Sequence, residues 1–457
     1  MGADALAGEI AEEPLKVGYV AFGSALYEPS RLSVINGRAV QQLEQAGLQL
    51  RATDPVLEGQ EERAIADLRA GDWDVLVANV INWVDYRAAT RVLHAFRDRP
   101  IVLYSYGGFT EGGVLISPAA GAGSTALRYV LERWGVKLRY LFHGPDRPMD
   151  TAGIVRFARS ARTARMLRHA RLGLFGWNDM GLLTTTFDPV RLRGQIGPEL
   201  EGIDLLEVER RMREIPIARV RDELSRITKR WRYADGEPDP DVLEQTFRLY
   251  LATLDLCVER HLDAVGYKTV EGVSAHLGVL HSLPSSLVAS RGIPYIDEND
   301  VGNLVAQLML KWLSGDPVTF LEHYEHAEDW ILLGVDGFVP EQMIEGDPVI
   351  KFTDLLTKGL AHGSTMRLGR MTIASLAEGN QGYRMHVVTG NAEAAPRWVE
   401  MGTKLPSWPS VTFRPDARVR SVLDHVLSQH VAAAYGDHAD DLIELCGLLG
   451  IEAIVDR

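Results

Sequence analysis

Glu271, Asp297, Glu298 and Asp300 fall within one stretch, GYKTVEGVSAHLGVLHSLPSSLVASRGIPYIDENDVGNLVAQLMLKWLSGDP, just after two strand-like runs, DAVGYKTV and IPYID. If adjacent strands end at one edge of a sheet, these carboxylates meet. Carboxylates sharing a cavity repel one another unless a proton or a cation lies between them, so the pattern suits acid/base work or a hard divalent ion. The plainer alternative is that Asp297, Glu298 and Asp300 only cap the helix that starts near Gly302. A second feature lies near the C-terminus. Val419, Val422, Leu423, Val426 and Leu427 have helical spacing, and His430 continues that face. A lone histidine on an apolar face is commonly a satisfied core residue.

The elements that must position these residues are legible as alternation. From residue 16 to 142, short β-rich runs (KVGYVAF, LQLRATD, DVLVANV, PIVLYSY, VKLRYLF) alternate with amphipathic ones. This alternation predicts a doubly wound parallel sheet covered by helices on both faces. Gly18 and Gly23 do not form G-x-G-x-x-G, so the main sequence argument for a dinucleotide is missing. Residues 151–347 continue in α/β style, with a basic helix, the strand RLGLFG, a long helix from Asp241 to His261, and three strand-like segments, DAVGYKTV, IPYID and WILLGVD. Each of the three is expected to end at the mouth of a parallel sheet, where ligands bind. From 348 the pattern turns β-rich (GSTMRLGRMTIASLA, YRMHVVTGN, SVTFRP) and closes on a helical pair. The expectation is an N-terminal α/β domain over 1–150, a second over 151–347 carrying the acidic residues, and a smaller β-rich domain over 348–457 with His430.

Composition narrows the function classes. With 457 residues, 46% hydrophobic, the chain exceeds what one core supports. A net charge of −14 spread along the sequence argues against nucleic acid as a partner. The acidic start is unlike a signal peptide, and no stretch approaches a membrane span, so a cytoplasmic protein without a membrane partner is expected. Cys257 and Cys446, each in an apolar helical stretch, read as buried thiols.

Several segments together resemble the L-fucose isomerase and L-arabinose isomerase superfamily. They are E-N-D-V-G-N-L followed by L-S-G-D-P, the terminal Q-H-V-A-A-A-Y-G-D-H-A-D-D-L-I-E-L-C-G-L-L-G-I, RLGLFGWNDMG, M-R-L-G-R-M-T-I-A-S-L and S-W-P-S, in family order. The resemblance implies a homo-oligomer, hexameric or trimeric, that interconverts an aldose and a ketose through a cis-enediol. It implies a cation, Mn²⁺ or else Mg²⁺ or Co²⁺, held by Glu271, Asp300 and His430, with Glu271 and Asp300 as the acid/base pair. A different gap placement puts Asn299 or Asp297 in a ligand slot instead, and Glu298 is the fallback for Asp300. The glycine after Asp300 comes two positions later rather than three, Gln429 stands where Asn is usual, and Asp336 stands where relatives often show a histidine-cysteine pair.

The chemistry itself moves a proton between neighbouring carbons while charge builds on oxygen; carboxylates relay the proton and a cation stabilises the charge. Lys268 is a candidate to stabilise an enediolate or else a solvated strand-end lysine, and Met180 and Trp83 are candidates to line a monosaccharide or else serve core or loop packing. Tyr27 and Arg31 lie in a loop that family members present to a neighbouring subunit's site. His276, His281, His323, His326 and His438 show no ligand spacing. The rival readings are a non-catalytic sugar-binding protein and a metal-dependent epimerase or aldolase.

Overall fold

The computed structural model describes residues 14–24, 26, 29–354, 356–399 and 408–457; Tyr27 lies outside them. Chain contacts divide it into two compact units, Glu12–Arg165 and Met166–Arg457. No helix among the described residues is long and apolar enough to cross a membrane.

The first unit holds β1 (Leu15–Phe22), β2 (Leu48–Ala52), β3 (Val75–Val80), β4 (Ile101–Ser105) and β5 (Leu138–Phe142) in a parallel sheet of order β2-β1-β3-β4-β5. Every residue of β3 is buried, as a central strand covered on both faces requires. Burying each Val or Leu there contributes roughly 1.5–3 kcal/mol. The helix Tyr86–His94 starts where the Asp85 carboxylate accepts from the amides of Arg87 and Ala88, and it turns Ala88, Ala89, Val92 and Leu93 inward. Gly18 serves packing: a Cβ there would lie 2.9 Å from the Trp73 ring.

The second unit begins with another parallel sheet: β6 (Arg171–Phe175), β7 (Glu199–Ile203), β8 (Ala264–Tyr267) and β9 (Tyr295–Ile296), in the order β9-β8-β6-β7. The long helix Pro240–Arg260 is capped by Asp239 and ends with His261 in a left-handed conformation. Cys257 in this helix and Cys446 near the C-terminus are free and buried, and burial pushes both thiols above their ordinary range.

The same unit contains an antiparallel barrel of β10 (Val318–His326), β11 (Ile331–Gly334), β12 (Gly369–Gly379), β13 (Gly382–Ala394), β14 (Ser410–Pro415) and β15 (His430–Tyr435). The pairing runs β12-β15-β10-β11-β14-β13 and closes from β13 back to β12; β16 (Glu452–Asp456) adds in parallel to β13. The helix Val301–Ser314 packs on this barrel so closely that a Cβ on Gly302 would collide with the Leu376 carbonyl oxygen.

Two sequence expectations are corrected here. WILLGVD does not end at the mouth of a parallel sheet: Ile331–Gly334 is an antiparallel barrel strand between β10 and β14, so the barrel draws two strands from before residue 348. The helix Val419–Asp424 stops before His430, which opens β15 instead. Pairing on both sides, with β10 and with β12, satisfies the backbone of this segment and overrides its local helical period.

Candidate metal centre

His430 pairs in register with Glu322 on the neighbouring strand β10, where Glu322 follows the buried run Val318–Leu321. The imidazole is fully buried. Its Nδ1 lies 3.0 Å from Asp300 Oδ2, and its Nε2 lies 3.1 Å from Glu322 Oε1 and 3.4 Å from Glu298 Oε2. Glu298, Glu322 and His430 thus offer three ligand atoms within 4.8 Å of one another.

Asp300 stands behind the imidazole. It caps the helix Val301–Ser314 by accepting from the Asn303 amide at 3.1 Å, and its Oδ2 also accepts from Asn303 Nδ2 and Ser428 Oγ. A carboxylate held this way fixes the ring and its tautomer, leaving Nε2 to face a ligand. Burial works against the charge of Asp300, but the bonds from His430 and Asn303 outweigh it and hold its pKa low. Burial alone would depress His430; Asp300 and Glu322 raise it well above the ordinary histidine range.

Glu298 is positioned by strained backbone. It and Asn299 have φ of 57° and 53°, unusual for residues with a Cβ. The Asn299 side chain holds this turn by donating from Nδ2 to the carbonyls of Phe175 at 3.3 Å and Trp177 at 2.9 Å. Burial, with Asp297, Glu322 and Asp179 adding their charge against His430, pushes the Glu298 carboxyl up to about 7. A carboxyl near neutrality can both take and return a proton.

Glu271 is not drawn into this cluster. It sits in a turn, Thr269–Ser274, whose amides at Val270 and Glu271 donate to buried Asp179 at 2.7 and 3.1 Å. Its side chain is half exposed and pairs with Lys268 Nζ at 2.8 Å. The Lys268 contact and the Met180 amide lower its pKa, the opposite of what a neutral-pH base needs. Met180, half exposed with φ of 50°, therefore adjoins Glu271 through its backbone. Trp83 belongs to the first unit, where its ring meets Tyr86 edge-on at 6.1 Å.

Glu322 was not singled out by the sequence, and His281 was set aside there for want of ligand spacing. Glu322 lies 24 positions after Glu298 with no local motif; only a charged residue ending an apolar strand run marks it. His281 is buried, with Nδ1 3.2 Å from Ser274 Oγ and Nε2 3.5 and 3.7 Å from Asp297 Oδ2 and Asp336 Oδ1. A third group, His386, His425 and Asp456, ties β13 and β16 to the helix Val419–Asp424.

Residues 353–455 match the family model described as L-fucose isomerase, C-terminal domain. Over its whole length the chain is similar to sulfoquinovose isomerases of Priestia aryabhattai and Priestia megaterium (strain ATCC 12872 / QMB1551). Each is 20% identical over 450 residues, covering 96% of this chain and 98% of the relative. The segments quoted above, the matched C-terminal domain and the full-length relatives point the same way: the chain is similar to L-fucose isomerase over residues 353–455 and to sulfoquinovose isomerases over its length.

Proposed function

We propose that this chain is an aldose–ketose isomerase that depends on a divalent cation and acts on an open-chain monosaccharide through a cis-enediol. The observation that carries the reading is His430 Nε2 turned between Glu298 Oε2 and Glu322 Oε1. One imidazole nitrogen and two carboxylate oxygens, with no thiolate near, fit Mn²⁺ and also Mg²⁺ or Co²⁺. Glu298, Glu322 and His430 would hold the ion, with Asp300 orienting His430 from behind. Bound there, the ion supplies Lewis-acid stabilisation of the negative charge that develops on the sugar oxygens.

The proton work belongs to the carboxylates. Glu298 takes a proton from one sugar carbon onto a carboxylate oxygen and returns it to the neighbouring carbon. Glu322, on the other side of His430 Nε2, is the second candidate for the relay. Lys268, Glu271 and Met180 are assigned to sugar hydroxyls; the Lys268–Glu271 ion pair, the Met180 amide on Glu271 and the half exposure of Glu271 and Met180 support this.

The test is deuterium exchange at the sugar carbons, followed by NMR, over a panel of aldoses that includes sulfoquinovose because the relatives are named for it. Wild-type protein with Mn²⁺ is expected to incorporate deuterium and form ketose. Chelation and Glu298→Gln should each abolish exchange. Undiminished turnover after complete chelation would overturn the cation dependence, and exchange without ketose would identify an epimerase.

A further inference from the structure

We infer that the second unit holds a second divalent cation, bound by His281, Asp297 and Asp336 beside the centre proposed above. The inference rests on that reading only for the first ion's place.

The three residues come from separate elements: His281 precedes the helix Ser282–Ala289, Asp297 follows β9, and Asp336 follows β11. Their ligand atoms lie within 4.8 Å of one another, and His281 and Asp297 are almost fully enclosed. His281 is built like His430. Each ring has Nδ1 against an oxygen that orients it, Ser274 Oγ in one case and Asp300 Oδ2 in the other, and each presents Nε2 between two carboxylates. At His281 those separations, 3.5 and 3.7 Å, are long for charge-assisted hydrogen bonds. They suit oxygen and nitrogen atoms that share an ion at bond lengths of about 2.0–2.2 Å. Asp297 keeps Oδ2 for this role because its Oδ1 already accepts from Tyr295 Oη at 2.7 Å.

Carboxylates crowd both places: Asp297 adjoins Glu298, and Glu322 acts on both Glu298 and Asp336. Buried carboxylates gathered this closely are costly unless cations lie among them. The ligand chemistry, two carboxylates and one imidazole, selects a first-row ion of the Mn²⁺ or Co²⁺ type rather than a thiolate-seeking one.

The test uses intact protein loaded with Mn²⁺ and freed of loose metal. Elemental analysis and anomalous diffraction are run on wild type, His281→Gln and Asp336→Asn, with thermal melting to verify folding. Two ions per chain in the wild type, falling to one in both variants with the Glu298 site still filled, supports the inference. One ion per chain, at Glu298, Glu322 and His430, overturns it and leaves the proposed function standing. No ordered ion at either place removes the cation dependence as well. If the His281 variant does not fold, the Asp336→Asn stoichiometry decides.

Discussion

Asp300 and His430, 130 residues apart in the chain, meet at 3.0 Å through Oδ2 and Nδ1. One carboxylate thereby caps a helix and aims a barrel histidine. Removing it should separate those two consequences.

Asp300→Ala removes the cap from the helix Val301–Ser314 and should lower stability by about 1 kcal/mol for the cap alone. Asp300→Asn keeps an acceptor for the Asn303 amide but changes the partner of His430 Nδ1. Both variants should weaken Mn²⁺ binding by about 10- to 100-fold. Titration calorimetry beside chemical denaturation measures the two effects. Unchanged affinity in both variants would exclude the orienting role.

Asn299 acts on Glu298 through the backbone. Asn299→Ala loses both bonds to the carbonyls of Phe175 and Trp177, so the left-handed turn is no longer held. Turnover is expected to fall by on the order of 100-fold, with a smaller change in metal affinity. Asn299→Gly, which tolerates the backbone conformation but also lacks the amide, should behave similarly. Full activity in the glycine variant would mean that relaxed backbone alone is sufficient.

Two glycines predict opposite stability changes. Gly302→Ala places a methyl against the Leu376 carbonyl and should destabilise by about 1–3 kcal/mol through overpacking. Gly447→Ala lies in the helix Ala439–Leu449 with open space around its Cβ and should stabilise by about 0.5–1 kcal/mol. Urea midpoints compare them directly. A neutral Gly302→Ala would contradict the tight seating of this helix.

His362 makes stability depend on pH. It is fully buried, its Nδ1 lies 3.0 Å from Ser364 Oγ, and burial pushes its pKa down to about 3. The unfolded chain, with a histidine near 6.5, binds the proton first. The stabilising effect of a neutral His362 is therefore complete above about pH 6.5 and lost progressively as pH falls toward 3, at about 1.4 kcal/mol per tenfold change in proton affinity. His362→Leu should flatten the denaturation midpoint between pH 7 and 5 relative to wild type. Parallel pH profiles would refute the assignment.

The first unit was readable because period-two and period-3.6 segments alternate cleanly; all five strands of its sheet stand where KVGYVAF, LQLRATD, DVLVANV, PIVLYSY and VKLRYLF lie. The barrel was legible as β-rich, but its closure was not. WILLGVD is a continuous apolar run, and such a run reads alike in a parallel sheet and in a barrel. His430 was read on a helix because Val419 to Leu427 repeats with helical spacing, although the chain beyond Asp424 leaves the helix to pair with β10. That same register brings in Glu322, and no local spacing could show it. The carboxylate cluster after IPYID was visible. Which member faces His430 Nε2 depended on the left-handed turn at Glu298, a backbone property that residue types alone do not reveal.

The closed ring of β10 to β15 also fixes when the centre can come into being. The β12–β13 hairpin is local and can form early, whereas β10 must wait for β15, more than a hundred residues downstream. On a growing chain Glu298 and Glu322 emerge well before His430 exists to join them. The proposed ion-binding set is therefore complete only once His430 has been made, and a chain stalled before that point lacks the imidazole with which to capture a metal ion.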